Sequence, residues 1–462
     1  MTGKFETPSR AEWEILATRA LKGAPLDTLA RIDADGLKVA PLYAADDAVQ
    51  PVFVPRSTDA DGRPWDLRTL VEGDDPAAVN AAILADLEGG AASILIKGAV
   101  TADPEPLARA LNGVALELAP VALDAGLDGP DAASALAVVA KGSPRARLRL
   151  HMDPLGAFAE AGAAPRSIAE HISLAANTAA RHAGAYPDAT FFLASGRVAH
   201  EAGGTAAQSL GFAAAAAVAY VRAGAEAGLT FEQALRGTVL GVAVDAEYFD
   251  ALATVRALRL IWNDVASAFG VSVPAVIEAR SSRRMLSARD PWPNLLRLTA
   301  AGFAGAVGGA DVVVLDGFTR ARGLPDAFAR RQARNTQLVL MEEANLGRVD
   351  DPAAGSWFLD ARTRDLAAAG WAELQRIEAE GGLPAALLSG APQTRIAAAR
   401  AALEAAMAEG RIPMVGITKF VDPDVRPAAT EPTPIPQPAT GGDTCEALTP
   451  FRLASVNEEA AA

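Results

Sequence analysis

Side chains suited to acid–base or metal chemistry are scarce in this sequence. Its 462 residues contain four histidines, His151, His171, His182 and His200, and one cysteine, Cys445. His151 ends the apolar run Leu148-Arg149-Leu150-His151 and precedes Asp153-Pro154. A histidine with a carboxylate two positions on suits an acid/base pair, although loop-anchoring hydrogen bonds ask for the same residues. His200-Glu201 follows the run Thr190-Phe191-Phe192-Leu193, within Ser195-Gly196-Arg197-Val198-Ala199-His200-Glu201-Ala202-Gly203-Gly204. The glycines of that segment permit close approach of a ligand or a neighbouring loop. His171 and His182 stand about three turns apart on one helical face, too far for one metal. The stretch Glu342-Glu343-Ala344-Asn345-Leu346-Gly347-Arg348-Val349-Asp350-Asp351-Pro352 carries paired carboxylates of the kind that bind divalent cations. No second cluster completes a shell, so a solvated loop is the expectation there. A lone cysteine excludes a disulfide framework and a cysteine zinc site. No phosphate loop, nucleophile elbow or HExxH motif occurs.

The elements that position these residues alternate between helix and strand. Ser9 and Glu12 have capping-box spacing, and Trp13, Leu16, Ala17, Ala20 and Leu21 fall on one helical face before Gly23. A polar, proline-containing stretch follows, so residues 1–60 read as an arm. Asp75-Pro76 caps a helix whose face is Val79, Ile83 and Leu87, and Gly89-Gly90 ends it. Short apolar runs suited to strands buried on both faces lie at Ser93-Ile94-Leu95-Ile96, Val121-Ala122-Leu123, Leu148 to His151, Thr190 to Leu193 and Val312-Val313-Val314-Leu315. Alanine-rich helical stretches separate them, which predicts right-handed crossovers and a parallel sheet. Alternation sustained this long favours a (β/α)8 TIM barrel, an α/β fold, over residues 61–420. The last long helix is placed at about residues 362–380, with Leu366, Gly370, Leu374 and Ile377 on one face, and another at about 393–409. Residues 421–462 are rich in proline and read as an extended tail.

Composition narrows the partners. Against 42 basic residues stand 56 acidic ones, a net charge of −14 with a pI near 4.9, so neither nucleic acid nor an anionic membrane is an expected partner. No apolar run is long enough to span a bilayer, and the first residues resemble neither a secretory signal nor a transit peptide. The expected location is cytoplasmic.

In the segments Arg63-Pro64-Trp65-Asp66-Leu67-Arg68, Ser195-Gly196 to Gly203-Gly204, Tyr220-Val221-Arg222-Ala223-Gly224, Ala333-Arg334-Asn335-Thr336-Gln337 and Asp351-Pro352-Ala353-Ala354-Gly355-Ser356, the sequence resembles the methylmalonyl-CoA mutase family. These are adenosylcobalamin-dependent isomerases of acyl-CoA thioesters. The segments stand in family order across most of the chain and include Asp290-Pro291 and Leu324-Pro325. The resemblance implies a barrel that threads acyl-CoA along its axis under a separate cobalamin domain. The departures from active chains are specific. The position of the tyrosine that helps break the cobalt–carbon bond is Leu70, and that of the catalytic histidine is Val198. The substrate-holding stretch is shortened to Ala279-Arg280-Ser281-Ser282-Arg283-Arg284. Loss of one preorganised donor commonly costs roughly two to three orders of magnitude in rate. None of the four histidines follows an aspartate by two positions, as the cobalamin-ligating one would.

The resemblance therefore points to the small, noncatalytic chains of the family. No catalytic residue, metal or cofactor is expected on this chain, and a large catalytic partner would carry adenosylcobalamin and the acyl-CoA of the complex. His151, Arg197, His200 and Glu201 are then vestigial residues at the barrel mouth. The alternative is the barrel chain of a two-part acyl-CoA mutase that borrows a separate cobalamin-binding subunit. A third reading is an accessory or cobalamin-delivery protein.

Overall fold

The computed structural model describes residues 8–47, 49–56, 62–433 and 440–458. Eight parallel strands close into a barrel: β1 (Asp66–Glu72), β2 (Ser93–Lys97), β3 (Val121–Asp124), β4 (Leu148–Met152), β5 (Thr190–Ser195), β6 (Thr238–Val244), β7 (Ile277–Ser281) and β8 (Val312–Val314). β8 pairs with β1 and closes the ring, and helices between the strands form the outer layer. The architecture is the expected (β/α)8 barrel.

Three strands, β1, β6 and β7, were absent from the apolar runs read in the sequence, each for a local reason. β6 is buried along its whole length, and the glycine at its centre, Gly241, weakens its reading as a strand. β7 reads Ile277-Glu278-Ala279-Arg280-Ser281, and its alternating charges look like a loop until the barrel closes around them. β1 alternates in the same way at Asp66 and Arg68.

The alanine-rich helices pack by close backbone approach. Helix Ala206–Glu226 lies against helix Trp357–Ala379, and a Cβ on Gly211 would come within 2.6 Å of Glu373 Cβ. On the facing helix a Cβ on Gly370 would come within 2.7 Å of Leu210 Cβ. Leu366, Gly370, Leu374 and Ile377 form the buried face expected for that helix.

The N-terminal capping box forms, with Ser9 N–H donating to Glu12 Oε2 at 2.7 Å and Glu12 N–H to Ser9 Oγ at 3.3 Å. The helix it starts, Arg10–Ala20, buries no residue, and Ile15 and Leu16 are each 60% exposed. Beyond it the chain holds to the barrel. In the hairpin of Arg31–Ile32 and Lys38–Val39, Asp33 pairs with buried Arg362 at 2.5 Å, and Arg362 also holds Asp250 at 2.8 Å. Asp35 accepts the Ala207 N–H at the start of helix Ala206–Glu226.

A second anchor lies at the end of the stretch 342–352, most of which is exposed as expected. Asp351 is 7% exposed, accepts the Val54 N–H at 2.8 Å and pairs with Arg256. Arg256 also holds Asp360 at 3.1 Å and the Val52 carbonyl at 2.7 Å. Elsewhere in that stretch Glu342, Glu343, Arg348, Val349 and Asp350 are exposed.

The proline-rich region is likewise docked on its own barrel. Thr430–Glu431 pairs antiparallel with Leu324–Pro325, and Leu448, Phe451 and Ala454 are buried. Residues 440–458 of the expected extended tail thus lie on the barrel, where their apolar side chains already have partners.

Arg256→Met tests the second anchor. It would leave Asp351 and Asp360 buried without their cation, a loss of about 3–5 kcal/mol. Urea unfolding should show this as a large fall in midpoint, whereas exposed Arg411→Met should leave the midpoint nearly unchanged.

Candidate functional site

The inside of the barrel is where a ligand would lie, and side chains fill it. Arg68 on β1 donates to Glu278 on β7 at 2.6 Å, to Asp66 at 2.9 Å and to Ser93 Oγ at 2.8 Å. Arg280 on β7 pairs with Asp124 on β3 at 3.0 Å. These strands are not neighbours, so the contacts pass through the bore. Arg68 and Glu278 are each 1% exposed and Arg280 is 5% exposed. Leu95, Ala122, Val312 and Val314 form an apolar layer there, with Leu70 packed against it. A cavity beside Leu70, Arg68 and Leu315 extends to Arg320, Arg330 and Gln337.

His151 belongs to this interior. Between Arg149 and Met152, β4 carries an extra residue relative to β5, and His151 sits in that bulge with φ 48°. Bulges re-aim side chains, and here the ring turns towards Glu278, with Nδ1 3.9 Å from Oε2. Neither ring nitrogen has a hydrogen-bond partner among the described residues. Burial pushes the imidazole down to about 4; Glu278 opposes this, while Arg68 and Arg149 reinforce it. The ring is neutral at pH 7. Asp153 does not pair with it: its carboxylate accepts the Tyr220 hydroxyl at 2.5 Å and the Gly156 N–H at 3.0 Å, capping the next helix. Burial pushes Asp153 up to about 7 against the pull of those bonds.

Arg197, His200 and Glu201 come together on the short helix Arg197–Glu201 at the C-terminal ends of the strands. Glu201 accepts the N–H groups of Arg283 and Arg284, each at 3.1 Å, which fixes the loop after β7. Arg197 lies 3.7 Å from Glu201. Burial beside Arg280 lowers the Arg197 guanidinium to about 10, so it stays charged. His200 Nε2 meets Ser282 Oγ at 2.8 Å, and that oxygen also accepts the Arg284 N–H at 3.1 Å. Burial and Arg284 hold His200 well below its ordinary value. Asp245 approaches the same nitrogen, at 3.8 Å, and is shared with Arg284. A carboxylate on the nitrogen that faces the serine cannot hold the ring for proton transfer from that serine. The trio therefore orders the loop and does not form a nucleophile.

Sequence reading passed over the interior pairs. Their signal was present, since charges at alternate positions 278 and 280 of a short stretch require two partners if that stretch is a strand.

The geometry can now be set beside known proteins. The family model for methylmalonyl-CoA mutase matches residues 96–462. The chain belongs to the methylmalonyl-CoA mutase family. It is 40% identical to the methylmalonyl-CoA mutase small subunit of Streptomyces virginiae over 420 residues, 87% of this chain and 68% of that one. It is 32% identical to the small subunit of Propionibacterium freudenreichii subsp. shermanii over 467 residues, covering 94% and 72% of the two chains. The match to the large subunit of the same organism is 32% over 224 residues, 48% of this chain and 31% of that one. A probable small subunit of Mycobacterium tuberculosis is matched over 57% of its length.

Mutase-family membership implies adenosylcobalamin, and the histidines of this chain do not fit it. His151 is enclosed in the bore and His200 is engaged by Ser282. Nε2 of both His171 and His182 is buried along the helix Ile168–Ala183. Nε2 of all four is thus enclosed or engaged within the fold.

A lowered histidine pKa gives a signed prediction. His151 is neutral in the folded chain and protonates near pH 6.5 when unfolded, so its contribution is complete above pH 6.5. It is lost as the pH falls towards 4. Between pH 7 and pH 5 the loss is roughly 2 kcal/mol. Urea unfolding of His151→Gln should show a correspondingly shallower fall in stability across that interval.

Proposed function

We propose that this chain is the noncatalytic small subunit of a heterodimeric, adenosylcobalamin-dependent methylmalonyl-CoA mutase. The complex interconverts methylmalonyl-CoA and succinyl-CoA, and the large subunit carries the cofactor and the chemistry. The observation that carries this reading is the filled bore. Arg68–Glu278 and Arg280–Asp124 cross the space through which an acyl-CoA would thread. Leu70 and Val198, at positions that the resemblance assigns to a tyrosine and a histidine, add no proton donor. The names of the small-subunit relatives support the partner, as does the weaker match to a large subunit.

On this reading the barrel acts as a rigid support. Its contribution to turnover is to hold the large subunit in its active shape, and it supplies no group to the reacting thioester. The helix Arg10–Ala20 is the natural grip. It is held by Arg10 on Asp46 at 2.7 Å, yet Ile15, Leu16, Leu29 and Ile32 around it are exposed. Apolar side chains presented on an anchored helix gain from burial against a second chain.

Two outcomes are expected in the purified complex. Arg197→Ala and His200→Ala should change kcat by less than about twofold, because neither group reaches the reacting atoms; a fall of roughly two orders of magnitude would assign chemistry to this barrel. The double variant Ile15→Asp, Leu16→Asp should raise the heterodimer Kd by at least about tenfold, on the order of 1.4 kcal/mol. Its own thermal midpoint should hold, since the helix buries nothing in this chain. Undiminished association, measured by analytical ultracentrifugation, would remove the helix from the interface.

A further inference from the structure

Residues 440–458 run along the C-terminal rim of the barrel, over the loops that follow β4, β5 and β7. Their main chain is tied to each in turn: Cys445 N–H to the Gly162 carbonyl at 2.9 Å, Leu448 N–H to Ala159 at 2.7 Å, Phe451 N–H to Glu201 at 3.0 Å and Leu453 N–H to Arg284 at 3.0 Å. The loops are shaped for this passage. A Cβ on Gly162 would come within 2.8 Å of Ala447 Cβ, and one on Gly203 within 2.9 Å of Phe451 Cε1. Leu448, Phe451 and Ala454 are buried beneath the track. Its far end is held by one carboxylate. Glu458 Oε1 accepts from Ser287 Oγ at 3.0 Å, Ala288 N–H at 2.8 Å and Arg289 N–H at 2.9 Å, and Oε2 from Arg452 at 2.7 Å.

We propose that this segment is a latch over the barrel mouth, pinned at Glu458, which while shut covers the turn at 200–203 and the loop at 284–289 against any ligand or capping domain. The proposal deepens the support-subunit reading and rests on it for the identity of the capping domain. The filled bore removes the channel through the barrel, and the latch removes the face above it. Glu458, on the helix Ser455–Glu458, pins one end of a segment that main-chain bonds and buried Leu448, Phe451 and Ala454 hold along its length, so loosening it is a local opening that leaves the barrel strands closed.

The chain carries its own reporter. Cys445, the one cysteine of the sequence, lies within the latch with Sγ 3.9 Å from the Phe158 carbonyl, and burial raises its thiol pKa. Reaction with a chromogenic aromatic disulfide, in which the Cys445 thiolate displaces one aromatic thiolate, reads how far loosening of the segment adds to the accessibility of this half-buried thiol. In the full chain Glu458→Lys should speed this reaction at least about tenfold. Amide hydrogen exchange should rise with it at residues 197–204 and 282–289 and stay unchanged at 238–244. Equal labelling rates in the two proteins would overturn the latch, as would faster labelling without faster exchange at 197–204. If Glu458→Lys loses protection at 238–244, Glu458→Gln, which keeps an acceptor and removes the charge, carries the same comparison with the same two overturning results. Heterodimer formation is read separately through the helix variants, so loss of either idea leaves the other testable.

Discussion

An eight-stranded barrel must fill its own interior, and the rest of this structure follows from how that is done. Branched aliphatic layers are the usual filling. Here one thin apolar layer of Leu95, Ala122, Val312 and Val314 is joined by guanidinium–carboxylate pairs that cross the bore. Buried pairs recover their desolvation cost only with close geometry and further hydrogen bonds. Arg68 meets that condition by donating to Glu278, Asp66 and Ser93 at once. The positive charge of this network, together with burial, keeps His151 neutral in its bulge. A barrel that is full has no channel, and that single property separates support from catalysis in the proposed assignment.

Around this core the chain reaches density with small residues. Glycines 211 and 370 let two long helices approach to backbone distance, and Gly347 lies against Pro64. Such packing leaves little slack, which suits a protein whose service to a partner is a fixed shape. Among the large apolar side chains that the fold leaves exposed are Ile15 and Leu16 of the N-terminal helix. Buried ion pairs of Arg362 hold the hairpin that follows it, and Arg256 holds the next stretch. The exposed helix is thus carried on a rigid mount.

Much of the barrel was legible because β2, β3, β4, β5 and β8 are short apolar runs between helical stretches, as parallel strands buried on both faces must be. β7 was not legible, for the reason that makes it important: Glu278 and Arg280 look solvated in one dimension and are among the most enclosed side chains in three. Within the mostly exposed stretch 342–352, buried Asp351 escaped notice in the same way, since it finds its cation ninety-five positions earlier in the chain at Arg256. Of the mouth residues, Arg197, His200 and Glu201 were legible as one segment beyond the run at 190–193, but not the short helix Arg197–Glu201 that carries them. Their partners Ser282, Arg283 and Arg284 were in view as a shortened stretch, without any sign of what they would touch.

The sequence by itself determined the parts that depend on local order: the alternation that makes a barrel, the caps that start its helices, and the side chains lacking at positions 70 and 198. Those follow from residue identity and periodicity, which no fold can alter. Tertiary structure alone decided that the bore is closed, that His151 is neutral, and that residues 440–458 seal the rim. Each of these depends on burial and on partners far away in the chain, and both exist only once the strands have closed into a ring.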